Sequence, residues 1–492
     1  MDLITEWLFS ALIACLLGAG GYFTLRFAGV QARALPHSVA MLWKRAGKEG
    51  ITPFQALTIG LASRVGTGNI VGIAVALTVG GPGAIFWMWL TALLGMSTAF
   101  VESTLAQIFK VPHKNQTFRG GPAYYIRMGL NSRLWSTLFA LALIFAYGFT
   151  FNAVQTNSIA DAFHQAFGWE RGLTGVALAL LSAPILFGGV RRVGYVTSVV
   201  VPAMAFGYLM LCAYAVWQHL SVLPEMVGLI FKSAFGVQQA AGGLAGYAFA
   251  QAVMTGVRRG LFSNEAGMGS APNAAATATV RHPVSQGLLQ MLAAGIDTLV
   301  ICSATAFMIL VSGQYVAGAP MEGAALTQRA LASAVGDWGG LFMTWSIFFF
   351  AWTTLIGNYA YAEGNISFLC RKKIVLVLFR LAVLGFIVVG SLSRSTQVWQ
   401  MADISMAVMA LINLAAIACL GKYALIAWQD YKAQRRAGIR EPVFNRTILP
   451  PALASKLAAD VWEARAAQAI KTREFNAKTR PFGIGEARRK MV

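Results

Sequence analysis

Two stretches of this 492-residue sequence carry residue types that could do chemistry. The first, ASRVGTGNIVG at residues 62–72, sets Gly66, Gly68 and Gly72 around Thr67 and Asn69, with Arg64 just ahead of them. The second, MTGVRRGLFSNEAGMGSAPNAAATA at 254–278, sets Gly256, Gly260, Gly267, Gly269 and Pro272 around Ser263, Asn264 and Glu265, with Arg258 and Arg259 preceding. Both interrupt runs that otherwise read as membrane-spanning. A peptide group left unpaired in lipid costs several kcal/mol, so a broken helix persists there only where it is buried in protein or lines a polar cavity. Glycine allows irregular backbone and close approach. Amides freed at a half-helix N-terminus can grip an anion, and carbonyls freed at a C-terminal end can grip a cation. Together they suit a zwitterion carried with Na⁺. One GTG alone would read equally well as a close-packing face between helices; the second, more disrupted stretch favours a site.

The elements that must hold these stretches are helices. The chain is 57% hydrophobic and only 12% charged, about half the charged fraction of a soluble protein. Apolar runs long enough to cross a bilayer recur along its length, and they are continuous, which disfavours a β-barrel. The pattern predicts an all-α polytopic membrane protein with spans near 4–25, 53–79, 83–109, 134–157, 172–190, 193–217, 243–277, 284–311, 338–369, 374–390 and 398–421, eleven transmembrane helices in all. The first is a retained span rather than a signal peptide, because Asp2 and Glu6 stand where a signal carries basic residues. If the spans alternate, 31 of the 39 Lys and Arg fall on one side, 4 on the other and 4 within spans. That asymmetry orients the N-terminus to the periplasm and the C-terminus to the cytoplasm. It also accounts for the net charge of +20 without nucleic acid.

With the first span (within 1–30) and a cytoplasmic linker (31–52) set aside, ten spans divide into two sets of five, 53–217 and 243–421. An extracellular connection, 218–242, joins them, and a basic cytoplasmic tail, 422–492, follows. Part of that tail, LASKLAADVWEARAAQAIK, is expected to form a surface helix. Five is odd, so the two sets run in opposite orientation, and an interrupted span opens each. Paired breaks in corresponding spans of inverted repeats point to a mid-membrane transport site.

The motifs GGPGAIFWMWLTALLGM (80–96), GLASRVGTGN (60–69) and RGLFSNEAGMGSAPNAAA (259–276) resemble the alanine or glycine:cation symporter family, most closely the bacterial sodium:alanine symporters. FRGGPAYYIRMGL (118–130), AYGFTFNAVQTNSIA (146–160) and FAWTTLIGNYAYAEGN (350–365) extend the likeness over about residues 15–445. The resemblance implies a LeuT-like core of the APC superfamily, five plus five inverted helices with two discontinuous ones, behind one additional N-terminal helix. It implies import of alanine and glycine by symport with Na⁺ through alternating access, in a bacterial inner membrane. By the same resemblance, the carbonyls of Ala62, Val65 and Phe350 and the hydroxyls of Thr353 and Thr354 would hold Na⁺. The plain alternative for the two threonines is a hydroxyl bonded back to its own helix. For substrate, the resemblance points to the amides near Thr67, Gly68 and Asn69, those from Gly260 to Ser263, the side chain of Gln155, and a wall made by Phe262 and Trp352. Arg64 departs from the family's small residue, and a cation there argues against a second Na⁺ at that point. The expected partners are L-alanine, glycine, D-alanine or serine, Na⁺ and lipid, with no cofactor and a monomeric carrier.

Glu102, Glu265, Asp297, Glu363 and Asp403 fall within spans, as do Arg64, Arg258, Arg259 and Arg380. Intramembrane charges generally pair or face a water-filled path. Glu265 with Arg258 and Arg259, together with Arg64, is expected to form a gating network, and the acids make proton coupling the chief rival to sodium. Channel and enzyme readings fare worse. The five histidines stand singly, the five cysteines lack any CxxC spacing, and no nucleotide-binding GxxxxGK[ST] occurs.

Overall fold

Helices answer the bilayer's demand that every peptide group be partnered within the chain. The computed structural model describes residues 3–42, 50–113, 117–235, 245–317, 323–458 and 461–462. Its principal helices are α1 (Leu3–Arg26), α2 (Pro53–Arg64), α3 (Thr67–Gly80), α4 (Gly83–Ile108), α5 (Arg133–Phe167), α6 (Arg171–Trp217), α7 (Ala245–Asn264), α8 (Ala271–Thr277), α9 (Val284–Val311), α10 (Trp338–Leu369), α11 (Lys373–Leu392) and α12 (Ser395–Arg436). Among the described residues nine helical runs are long and apolar enough to cross a membrane, with α2–α3 counted as one. The pair α7–α8 is not among them. Helix α6 holds 47 residues, and Gly189 departs from helical geometry inside it (φ 70°, ψ −175°).

Both interruptions have local causes. Helix α2 opens on a capping box: Thr52 Oγ1 accepts from the Gln55 amide (3.1 Å) and the Thr52 amide donates to Gln55 Oε1 (3.0 Å). It ends at Arg64, where Val65 (ψ 83°) and Gly66 (φ −136°, ψ −149°) leave helical geometry, and α3 starts at Thr67. Between α7 and α8 the chain turns through three left-handed residues, Glu265 (φ 55°), Gly267 (φ 85°) and Gly269 (φ 82°). For a residue with a side chain this is an uncommon conformation, so Glu265 is held there by its surroundings.

The broken helices sit side by side, α3 against α7 and α2 against α8, with α4, α9, α5 and α10 around them. Burial follows this order: 94% of the apolar window of α2–α3 is buried, against 28% for α1. Helices α5 and α9 each contain a π-helical turn, at Ala146–Thr150 and Ile296–Cys302, next to the breaks. Such bulges often mark functional sites.

Two sequence expectations change. The last span extends to Arg436 because Ala424, Ala427, Trp428 and Tyr431, spaced as one helical stripe, are buried. The segment from 422 to 436 is therefore helical and packed along that stripe. Of the surface helix expected over LASKLAADVWEARAAQAIK, residues 463 onward lie outside the described residues; before them the chain forms one helical turn at Pro451–Ala454.

Gly256 lets α7 lie directly on α4. A Cβ there would meet Ala84 O at 2.5 Å and Trp87 Cβ at 2.6 Å. Gly256→Ala should cost about 1–3 kcal/mol by overpacking, read as a lower melting temperature in detergent; an unchanged melting curve would contradict this packing.

Candidate binding site between the two broken helices

The C-terminal end of α2 frees carbonyls, and α10 brings a hydroxyl to them. Thr354 Oγ1 lies 2.7 Å from Ala62 O, 2.9 Å from Phe350 O and 3.3 Å from Val65 O. A hydroxyl has one hydrogen and can serve one of these three acceptors fully. The remaining lone pairs converge on an acceptor-rich point, a suitable environment for a small hard cation. Ala62, Val65, Phe350 and Thr354 are thus brought together. Thr353 Oγ1 lies 2.9 Å from Phe349 O and 3.0 Å from Phe350 O, bonding back along its own helix. Gly66 makes the approach possible, since a Cβ there would collide with Thr354 Oγ1 and sit 3.0 Å from Gln155 Oε1.

The N-terminus of α3 supplies donors. The Thr67 amide donates to Gln155 Oε1 on α5 (3.0 Å), and the Gly66 amide to Asn69 Oδ1 (3.0 Å). The Thr67 hydroxyl is buried with no hydrogen-bond partner. Asn69 Nδ2 reaches Asp297 Oδ1 (2.7 Å) on α9 and Ser263 Oγ (3.2 Å) on α7, and Ser263 Oγ donates to Asp297 Oδ2. Cys302 Sγ lies 3.2 Å from the same Asn69 nitrogen. Asp297 therefore joins both broken helices through Asn69 and Ser263.

Above these polar groups lies an aromatic roof. Phe262 packs between Phe151 (ring centroids 4.8 Å apart) and Trp399 (4.9 Å). A Cβ on Gly68 would come within 3.0 Å of Phe262 Cδ1, so glycine admits the ring against α3. The Arg259 guanidinium lies 4.5 Å from the Trp399 ring centroid and pairs with Asp403 of α12. This ion pair, with side chains 6% and 13% exposed, ties α7 to α12 over the roof.

Several expected residues take other places. Helix α7 continues through Asn264, so the amides of Gly260 to Ser263 lie inside a helix and are not freed; the break falls at 265–270. Its released Gly267 and Gly269 amides donate to Glu102 of α4 (3.3 and 3.2 Å), and Asn413 Nδ2 donates to the same carboxylate (2.8 Å). The expected network of Glu265 with the two arginines is absent among the described residues. Glu265 accepts from Ser63 (2.9 Å) and Ser270 (2.8 Å), which links the two breaks, while Arg258 lies over the Phe9 ring of α1 at 3.7 Å. Arg64 Nη1 donates to Gln290 Oε1 (3.1 Å), and its Nε and Nη2 have no hydrogen-bond partner. Arg64 nonetheless acts electrostatically on Glu102, Glu265 and Asp297, all fully or nearly fully buried. The Trp352 indole donates to Ser182 of α6 (3.2 Å) and stacks on Phe348, apart from the aromatic roof.

Sequence reading missed Phe151, Trp399, Asn413 and the roles of Glu102, Asp297 and Asp403. The intramembrane acids were a visible signal; their partners, scattered over α2, α3, α7 and α12, were not.

Gly66→Ala should force Thr354 and Gln155 away from the break. In thermal melts, replacing choline chloride with NaCl should raise the melting temperature of the parent chain, since a cation bound only to the folded state stabilises it. That increment should vanish in Gly66→Ala, and its survival at full size would refute the assigned geometry.

Residues 1–446 match the sodium:alanine symporter family. The chain is 47% identical over 440-odd residues to the probable sodium/glutamine symporter GlnT of Bacillus subtilis, covering 89% of this chain and 91% of that one. It is 42% identical to the putative sodium/proton-dependent alanine carrier protein YrbD of the same organism, covering 92% and 94%. The fold is shared with MhsT, solved in complex with L-phenylalanine: TM-score 0.55 at 12% identity, over 86% of this chain and 99% of that one.

Proposed function

The chain belongs to the sodium:alanine symporter family, and from that premise we propose that it imports small neutral amino acids, alanine and glycine foremost, together with Na⁺ by alternating access. The observation that carries this reading is the convergence of three carbonyls on the Thr354 hydroxyl. Sodium at that point would tie the end of α2 to α10 and neutralise the oxygens turned toward it. The substrate carboxylate would take the donors at the α3 N-terminus now held by Gln155 and Asn69. The Phe262, Phe151 and Trp399 roof would close over it and leave room for a methyl group or a hydrogen. Sodium and substrate act by differential affinity, stabilising the closed arrangement over the open one.

The same reading extends to topology. Counting α6 as two spans divided at Gly189, and α7–α8 as a broken span, gives eleven. These form one N-terminal helix and inverted repeats over 53–217 and 243–421, in a bacterial inner membrane. The N-terminus would be periplasmic and the C-terminus cytoplasmic, as the charge asymmetry favours. D-Alanine and serine fall within the same size class. Glutamine is the substrate that the GlnT likeness adds as a rival.

Proton coupling is the second reading, and Asp297 favours it. Its carboxylate is fully buried, bonded to both broken helices and without an ion-pair partner among the described residues. A proton taken up there would relieve the cost of burying that charge.

Proteoliposomes distinguish these readings. Labelled alanine should accumulate under an inward sodium gradient at equal pH, and an imposed proton gradient without sodium should drive none. Full accumulation on protons alone would overturn sodium coupling; accumulation of glutamine in preference to alanine and glycine would overturn the substrate assignment. Thr354→Ala should raise the half-saturating sodium concentration about tenfold or more, equivalent to about 1.4 kcal/mol, whereas Thr354→Ser keeps the hydroxyl and should stay near the parent value. Equal sodium dependence in all three chains would contradict the site.

A further inference from the structure

By its sequence the segment after α12 is a basic tail. Its described residues are instead packed onto the cytoplasmic end of the second broken helix. Phe444, Leu449, Leu453, Leu457, Val461 and Trp462 are each 5% exposed or less. Solvated tails do not bury six apolar side chains.

The place where this strap lands is a junction. After α8 the chain leaves the helix at Ala278 and bends through 281–282 before α9 begins. Ala278 pairs with Ile51, just ahead of α2, in a parallel β-bridge, and the Thr279 amide donates to Ile51 O (2.9 Å). The cytoplasmic ends of both broken helices are thereby joined backbone to backbone. Lys110, at the end of α4, donates to Ala278 O (2.9 Å) and to Gln107 Oε1 (2.7 Å).

The strap binds this segment at Arg281 and His282. The Phe444 amide donates to Arg281 O (3.0 Å), and Glu441 pairs with the Arg281 side chain (2.7 Å). Phe444 packs edge-on against His282 (5.5 Å) and Trp462 (5.0 Å), and the Lys110 ammonium lies 4.8 Å from the Trp462 ring and 4.4 Å from the Phe118 ring. Gln434 of α12 clips the strap's origin, exchanging two 2.9 Å hydrogen bonds with the Val443 backbone. Arg446 donates to the Ala454 and Leu457 carbonyls (3.2 and 3.0 Å) and closes the strap on itself. His282 completes the junction. Its Nδ1 accepts the Val284 amide (3.2 Å), which leaves Nε2 to donate to Asp430 of α12 (3.1 Å), and burial lowers its pKa against the pull of that carboxylate.

We propose that residues 441–458 with Val461 and Trp462 are a cytoplasmic clasp: docked on the 278–283 junction, they hold the inner ends of the two broken helices together, and they let go when the pathway opens to the cytoplasm. This rests on the reading that the pathway runs between those helices. Passage inward requires α2 and α8 to part, which requires the Ile51–Ala278 bridge to break. The strap buttresses the Ala278 side of that bridge from α12 and α4 at once, so its release lowers the barrier to parting.

The test uses hydrogen exchange on the purified full-length chain and on variants Phe444→Ala, Trp462→Ala and a chain ending at Arg440. Amides in 275–284 and 50–56 should exchange at least tenfold faster in the variants, while amides in the middle of α4 and α9 keep their parent rates. A synthetic peptide of residues 441–462, added to the shortened chain, should restore protection. Unchanged exchange at both segments, or a peptide without effect on a shortened chain that retains its melting temperature, would overturn the clasp. Should a point variant unfold, the shortened chain with and without peptide decides the matter. The readout needs no transport, so failure to carry alanine would refute the functional reading and leave the clasp to be judged separately.

Discussion

A peptide group released from a helix inside a bilayer has no water to turn to, and at the two breaks of this chain its partners must be built from side chains. The Gly66 and Thr67 amides go to Asn69 and Gln155, the Gly267 and Gly269 amides to Glu102, and the Ala62 and Val65 carbonyls face Thr354. Three helices outside the breaks, α4, α5 and α10, are held in position by these demands. At the first break the supply of donors falls short: one hydroxyl hydrogen faces three carbonyl oxygens. On the proposed function, that local excess of acceptors is where an exchangeable cation would act, held while the breaks are together and released when they part.

The charges follow the same logic. Arg259 and Asp403 neutralise each other above the aromatic roof, where closing the pathway would remove them from water. Glu102, Glu265 and Asp297 have no such partner among the described residues and are served by neutral donors and by the field of Arg64. Isolated buried charge is expensive. Retaining three carboxylates between moving helices makes sense if each is bonded to segments that change places during the cycle: Glu102 to the second break, Glu265 and Asp297 to both.

Sequence patterns revealed the breaks because glycine clusters and polar residues stand out in apolar runs, and the resemblance placed Ala62, Val65, Phe350 and Thr354 at one locus. Hydrophobic periodicity extended the last helix too little, since Lys422, Asp430 and Lys432 lower its hydropathy while Ala424, Ala427, Trp428 and Tyr431 still bury one stripe. The resemblance put the freed amides of the second break too early, at Gly260 to Ser263, because Gly260 tolerates a helix as readily as it breaks one; the left-handed Glu265 that begins the turn carries no signature in composition. Pairings between distant segments were illegible altogether. Nothing in the spacing of Arg259 and Asp403, 144 positions apart, or of Phe444 and Arg281, indicates that they meet.

The central claim is that the acceptor-rich point at Thr354 is a sodium site energetically linked to substrate. Equilibrium binding of ²²Na⁺ to purified protein, with and without saturating alanine, tests it most directly. Coupled sites must affect each other reciprocally, so alanine should tighten sodium binding severalfold and sodium should tighten alanine binding by the same factor. Sodium affinity indifferent to alanine, in protein shown to bind both, would contradict the account.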